Sequence, residues 1–196
     1  IGGFDMTLRR AEDVELAYRL ADRGLAFVFN EQAIGYHYAD RSFASWLQTP
    51  YLYGRNDVIF TRDRGQPWLL PKIMQEFQQR HPFIKALTRL CLSRTKLSNR
   101  VVQGLHSAAA VSNAAHTTAL STQLYSGIFN LCYYQGIADE LQGRQHFFAL
   151  AQAAAGDGQQ VASGKWQVAG GGYQVADKAD RHQLPATHIL VYLHSF

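Results

Sequence analysis

The sequence predicts an α/β opening, then a mainly α-helical region and a Gly/Ala-rich tail, and three observations carry that reading. An amphipathic helix of about three turns, closed by a glycine, runs directly into two short apolar segments separated by a turn. Apolar residues then recur at helical spacing as far as Leu150, and beyond it Ala, Gly and Gln displace the large aliphatics. At 196 residues with 47% hydrophobic side chains, the chain is long enough to bury a core without staples. The expected organisation is therefore residues 1–65, 66–150 and 151–196.

Taking the elements in order, Val14, Ala17, Tyr18 and Ala21 fall on one face between Glu12 and Arg23, with Leu16 and Leu20 beside it, and Gly24 stands where such a helix would stop. "LAFVF" (Leu25 to Phe29) predicts a short buried strand, Asn30 to Gln32 a turn, and "IGYHY" (Ile34 to Tyr38) a second strand. Phe43, Trp46, Leu47, Tyr51 and Val58 return to helical spacing, with Pro50 expected to begin or kink a helix. Phe83, Leu87, Leu90 and Cys91 form an apolar stripe with Lys85, Arg89 and Arg94 off it, which predicts a basic amphipathic helix. Val101, Leu105, Leu120, Leu124, Ile128, Leu131 and Tyr134 predict one or two more, interrupted near "SAAAVSNAAHTTA". From Ala151 the composition reads as linker, and "HILVYLHSF" near the end suits a buried strand.

The net charge of +4 is unevenly placed. Acids and bases nearly cancel up to Gly65, whereas no acid occurs between Glu76 and Asp139, a stretch that holds Arg80, Lys85, Arg89, Arg94, Lys96 and Arg100. Such a block is attracted to phosphate, and the segment Arg80 to Arg100 predicts contact with an anionic membrane surface or a partner chain. Nucleic acid is a poor partner, because the basic residues are not interleaved with aromatics and no nucleic-acid motif occurs. No run approaches the eighteen or so apolar residues of a spanning helix, and Cys91 and Cys132 lack the spacing of a zinc or redox motif.

The chemistry-bearing residues cluster near the start. Gly2 and Gly3 allow a tight turn and a close backbone approach to a ligand ahead of Phe4 and Asp5. Glu12 and Asp13 stand at the mouth of the first helix, where the dipole favours ionised carboxylates able to accept a proton or bind a hydroxyl. In purely structural terms Glu12 is a dipole partner and Asp13 a cap. His37 offers a metal-ligating nitrogen or is a core histidine among aromatics. Arg55 in "YGRND" is placed either to hold a phosphate or carboxylate or to pair with Asp57 or a neighbour.

In this order, "GGFD", "EDVELAYRLADRG", a short strand and "AIGYHY" resemble the C-terminal half of the catalytic domain of family 2 glycosyltransferases, the GT-A fold, over about Ile1 to Gly65. "YLYGRNDVIFTR" extends the resemblance in the manner of bacterial polysaccharide and cell-envelope enzymes. The resemblance implies inverting transfer of a sugar from a nucleotide-sugar donor to a polysaccharide or lipid-linked acceptor. It implies that Asp13 is the general base, with Glu12 supporting it or holding the acceptor, and that Gly2, Gly3, Phe4 and Asp5 lie against donor and acceptor. His37 would complete coordination of Mg²⁺ or Mn²⁺ on the departing diphosphate. The family's nucleotide-binding half, with its Asp-x-Asp motif, would precede "IGGFD", so the chain reads as part of a longer enzyme, inactive alone, at the inner face of the cytoplasmic membrane. "HILVYLHSF" also resembles the first strand of polysaccharide deacetylase domains, with Leu193 as an extra residue. The competing reading is a non-catalytic helical module bound to anionic membrane or to a partner.

Overall fold

The computed structural model describes residues 1–8, 10–28, 30, 32–36 and 41–161, the last six by backbone alone. They fall in two compact units, one within Ile1–Ala39 and the other within Asp40–Ala162. Helices make up 73% of the structure and no strand occurs among the described residues. This corrects the expected α/β class, and with it the partial GT-A half: the described chain is all-helical.

In the first unit, α1 spans Glu12–Asp22. Ala11 enters it in the left-handed region, with φ 59°, and no side chain caps the start. The exit follows the sequence reading: Gly24 has φ 83°, its N–H donates to the Ala21 carbonyl, and the Leu25 N–H reaches back to Leu20. The two expected strands do not form among the described residues. A strand is stable only when a neighbour completes its ladder, and the apolar residues here are open: Leu25, Ile34 and Tyr36 are 45%, 75% and 85% exposed. Phe29, His37 and Tyr38 lie outside the described residues, as does everything from 162 on, including the terminal strand-like segment.

The second unit holds α2 (Phe43–Asp63), α3 (Leu69–Gln79), α4 (Pro82–Cys91), α5 (Thr95–Ala114), α6 (Thr118–Glu140) and α7 (Arg144–Val161). Ser42 starts α2 with a side-chain cap to the Ser45 N–H. Of the two places expected for Pro50, it lies inside α2 and not at its start. Its missing N–H forfeits one helical bond, but the ring is fully buried, so packing outweighs the loss. The break between α5 and α6 falls in the small-residue stretch, at residues 115–117. There the Ser112 and Thr117 hydroxyls each donate to the other's backbone carbonyl, both at 2.8 Å. Helix α7 continues past Ala151, which is 2% exposed, so the start of the expected linker is helix, as its Ala-rich sequence favours.

Helix α6 is the hub, packing on α2, α4, α5 and α7. One core cluster sits around Tyr134, Phe77 and Phe147, whose rings meet edge to face at 4.9, 5.2 and 5.7 Å. The other joins Leu87, Cys91, Val102, Ile128 and Leu131. Where α2 crosses α6 the backbones nearly touch: a Cβ on Gly54 would stand 2.1 Å from the Tyr133 carbonyl oxygen, and one on Gly136 2.0 Å from that of Tyr51. No helix among the described residues is long and apolar enough to cross a membrane.

Candidate functional site

The expected site residues Gly2, Gly3, Phe4, Asp5, Glu12 and Asp13 belong to the first unit. Gly2 and Gly3 both take positive φ, 90° and 68°, a conformation that a residue with a Cβ adopts only under strain. No atom lies within 4 Å of where either Cβ would be, so backbone conformation rather than crowding selects glycine. Phe4 is 55% exposed. Asp5 turns back on its own loop, with Oδ1 accepting from the Thr7 N–H at 2.9 Å and the Thr7 hydroxyl at 2.6 Å.

Arg19, which the sequence reading passed over, organises this loop. Its guanidinium donates to the carbonyls of Ile1 and Gly3 and, on its helix, to both oxygens of Glu15, at 2.7 and 2.8 Å. The hydrogen bonds to Glu15 raise the guanidinium's pKa against the pull of desolvation. Glu15 is only 4% exposed, so the buried carboxylate of α1 is this one and not its neighbours. The Glu-x-x-x-Arg spacing was the available signal. Its consequence is that the glycine turn is lashed to α1 while neither Glu12 nor Asp13 is drawn into the Arg19 pairing at the helix start. Asp13 is exposed and spends one oxygen on the N–H of Val14 at 2.9 Å. Glu12 is half-buried and shares a face with Glu15 and Arg19, the face that meets the loop.

Arg55 is in the second unit, where its Nε and Nη2 donate to Glu140 Oε2 at 3.1 and 2.8 Å. Arg62 Nη2 donates to the other oxygen at 3.0 Å. Burial opposes ionisation of Glu140, but these two arginines outweigh it and hold its carboxyl below the usual range. Arg55 thus joins α2 to the end of α6, 85 residues away, a pairing that no local pattern announces. His37 lies outside the described residues, and among those described no group of three His, Cys, Asp or Glu side chains is placed to hold a metal ion.

No family model, curated protein or solved structure matches this chain.

One other carboxylate competes for attention as a functional group. Burial pushes Asp57 on α2 up to about 6, against the pull of the Tyr133 hydroxyl that donates to it, with the Glu76 charge adding to the rise. Burial in turn raises the Tyr133 phenol. The pair faces the packed α2–α6 seam, which makes it a structural bond with a cost. Because Asp57's folded value exceeds the ordinary 3.8, the folded state holds its proton more tightly than the unfolded chain. The stability this carries is full below that ordinary value and is lost as pH rises through about 6. Asp57→Asn keeps an acceptor for Tyr133 and removes the loss. It is expected to raise unfolding stability by about 3 kcal/mol at pH ~8 and to change it little at pH ~4. Urea midpoints for both proteins at both pH values check this, and a difference independent of pH would refute it. Glu140 contributes a slope of the opposite sign, which cancels between the two proteins.

Proposed function

We propose that the chain supplies the acceptor side of an inverting glycosyltransferase, which moves a sugar from a nucleotide-sugar donor to a hydroxyl of a polysaccharide or lipid-linked acceptor. The observation that carries the reading is a positive-φ glycine turn bound through Arg19 to a helix whose first turn presents an exposed Asp13 beside a half-buried Glu12. A saccharide hydroxyl needs an ionised acceptor to bind it, and its attack needs a base on the same side. Both carboxylates stand in the first turn of α1. Exposed Phe4 adds a flat apolar face of the kind on which a sugar ring can rest.

In this reading the acceptor hydroxyl gives its proton to the Asp13 carboxylate as its oxygen bonds to the anomeric carbon. The bond to the nucleotide diphosphate breaks from the opposite side, and the diphosphate leaves with the bonding electrons.

The test is sugar transfer from UDP- and GDP-sugars, with and without Mn²⁺, to glycan and polyprenyl-phosphate acceptors, using the protein as its cells make it. Turnover with an inverted anomeric centre is the expected result. Retention of configuration, or no transfer from any donor, would overturn the reading.

A further inference from the structure

We propose that the outer face of α4 is a docking surface for an anionic lipid bilayer, with Phe83, Ala86 and Leu90 entering the headgroup region and Arg89, Arg94 and Arg144 meeting lipid phosphates. This stands whether or not the chain serves in sugar transfer. The sequence placed Phe83, Leu87, Leu90 and Cys91 in a single stripe, but the structure divides them. Ile84, Leu87, Thr88 and Cys91 are buried against the bundle, whereas Phe83 and Leu90 are 41% and 51% exposed with Ala86 between them. The positions 83, 86 and 90 follow helical spacing, so they form an exposed apolar strip bordering the buried face, with one edge of the Phe83 ring beside Gly127 of α6.

The charges around this strip identify the occupant. Arg94 Nη1 reaches the Leu90 carbonyl at 3.3 Å, and Arg144 Nη2 reaches that of Arg89 at 3.1 Å, which places two guanidinium groups at the C-terminal end of α4, where Arg89 is itself an exposed residue of the last turn. Arg19, Arg55 and Arg62 all pair with carboxylates. Among the described residues Arg89, Arg94 and Arg144 have none, and the chain from Glu76 to Asp139 offers none between those two residues. An acidic protein patch would suit the arginines but would leave the apolar strip without purpose. A bilayer of anionic phospholipid satisfies both, with phosphate at the depth of the guanidinium groups and acyl chain beneath.

Sedimentation of the full chain with vesicles tests this. Binding is expected to phosphatidylcholine mixed with phosphatidylglycerol and not to phosphatidylcholine alone, and it should weaken steeply as salt is raised. The double variant Arg89→Gln/Arg94→Gln is expected to bind about 25-fold more weakly, at roughly fivefold per lost cation. Leu90→Gln should weaken binding separately with the salt dependence kept. Both variants change exposed side chains, and unchanged far-ultraviolet circular dichroism checks that they fold. Equal binding to neutral vesicles, undiminished binding by both variants, or self-association in place of vesicle binding would overturn the proposal.

Discussion

Replacing Gly54 or Gly136 by Ala is expected to destabilise the helical unit by about 3 kcal/mol, a loss large enough to lower its melting temperature by on the order of 10 °C. On helix propensity alone the sign would be opposite, because Gly→Ala in a helix interior gains about 1 kcal/mol. Sterics decide it. The added methyl would stand 2.1 Å from the Tyr133 oxygen in one case and 2.0 Å from the Tyr51 oxygen in the other, and both are backbone atoms of the facing helix, which cannot rotate away as a side chain would. The helices must separate, and the contacts at risk are those along the same seam: Asp57 with Tyr133, Tyr51 with Asp139, and Arg55 with Glu140.

Gly104 on α5 is the internal control, since nothing lies within 4 Å of its would-be Cβ. Gly104→Ala should be neutral or stabilising by up to about 1 kcal/mol. The double variant Gly54→Ala/Gly136→Ala should cost less than the sum of its parts, because one separation of α2 from α6 relieves both clashes. Thermal and urea unfolding of the four variants measures all of this. Tolerance of Ala at both seam positions would show that the α2–α6 crossing is not as close as described.

Much of the first unit was legible from local pattern. The extent of α1, its glycine stop and the special backbone of Gly2 and Gly3 follow from rules that act within a few residues. The break between α5 and α6 was legible for the same reason. What failed depended on distant partners. "LAFVF" and "IGYHY" have the composition of buried strands, but a strand is defined by the chain that pairs with it, and among the described residues none does. Whether Pro50 begins a helix or lies within one is decided by the burial of its ring against the bundle. The stripe on α4 was seen with the right residues, but its edge at Phe83 and Leu90 is left exposed while Leu87 and Cys91 are buried, a difference set by how far α6 reaches across the helix. Glu140 and Arg55, and the two seam glycines, are paired across more than eighty residues, where periodicity carries no information.

The residue on which the proposed function turns is Asp13, and Asp13→Asn is expected to lower sugar transfer about 10²- to 10⁴-fold, the range a positioned base supplies. The substitution is close to neutral for the fold: Asp13 is exposed, its one hydrogen bond is to the adjacent Val14 N–H, and an Asn carbonyl can accept the same bond. Loss of turnover with unchanged helicity would therefore report chemistry. The two carboxylates separate by kinetics. Asn at 13 should lower kcat with little change in the acceptor KM, because a base acts only in the transition state, whereas Glu12→Gln should raise the acceptor KM, as expected of a group that holds a hydroxyl in ground and transition states alike. The reverse pattern would move the base to Glu12, which stands on the same face of α1 as Arg19 and the glycine turn. Arg19→Gln then tests the scaffold: freeing the Ile1 and Gly3 carbonyls should impair acceptor binding even with both carboxylates in place, because a loop that is no longer held cannot present them in one geometry. Full activity in the Asp13, Glu12 and Arg19 variants alike would remove the opening segment from the chemistry and leave it as scaffold.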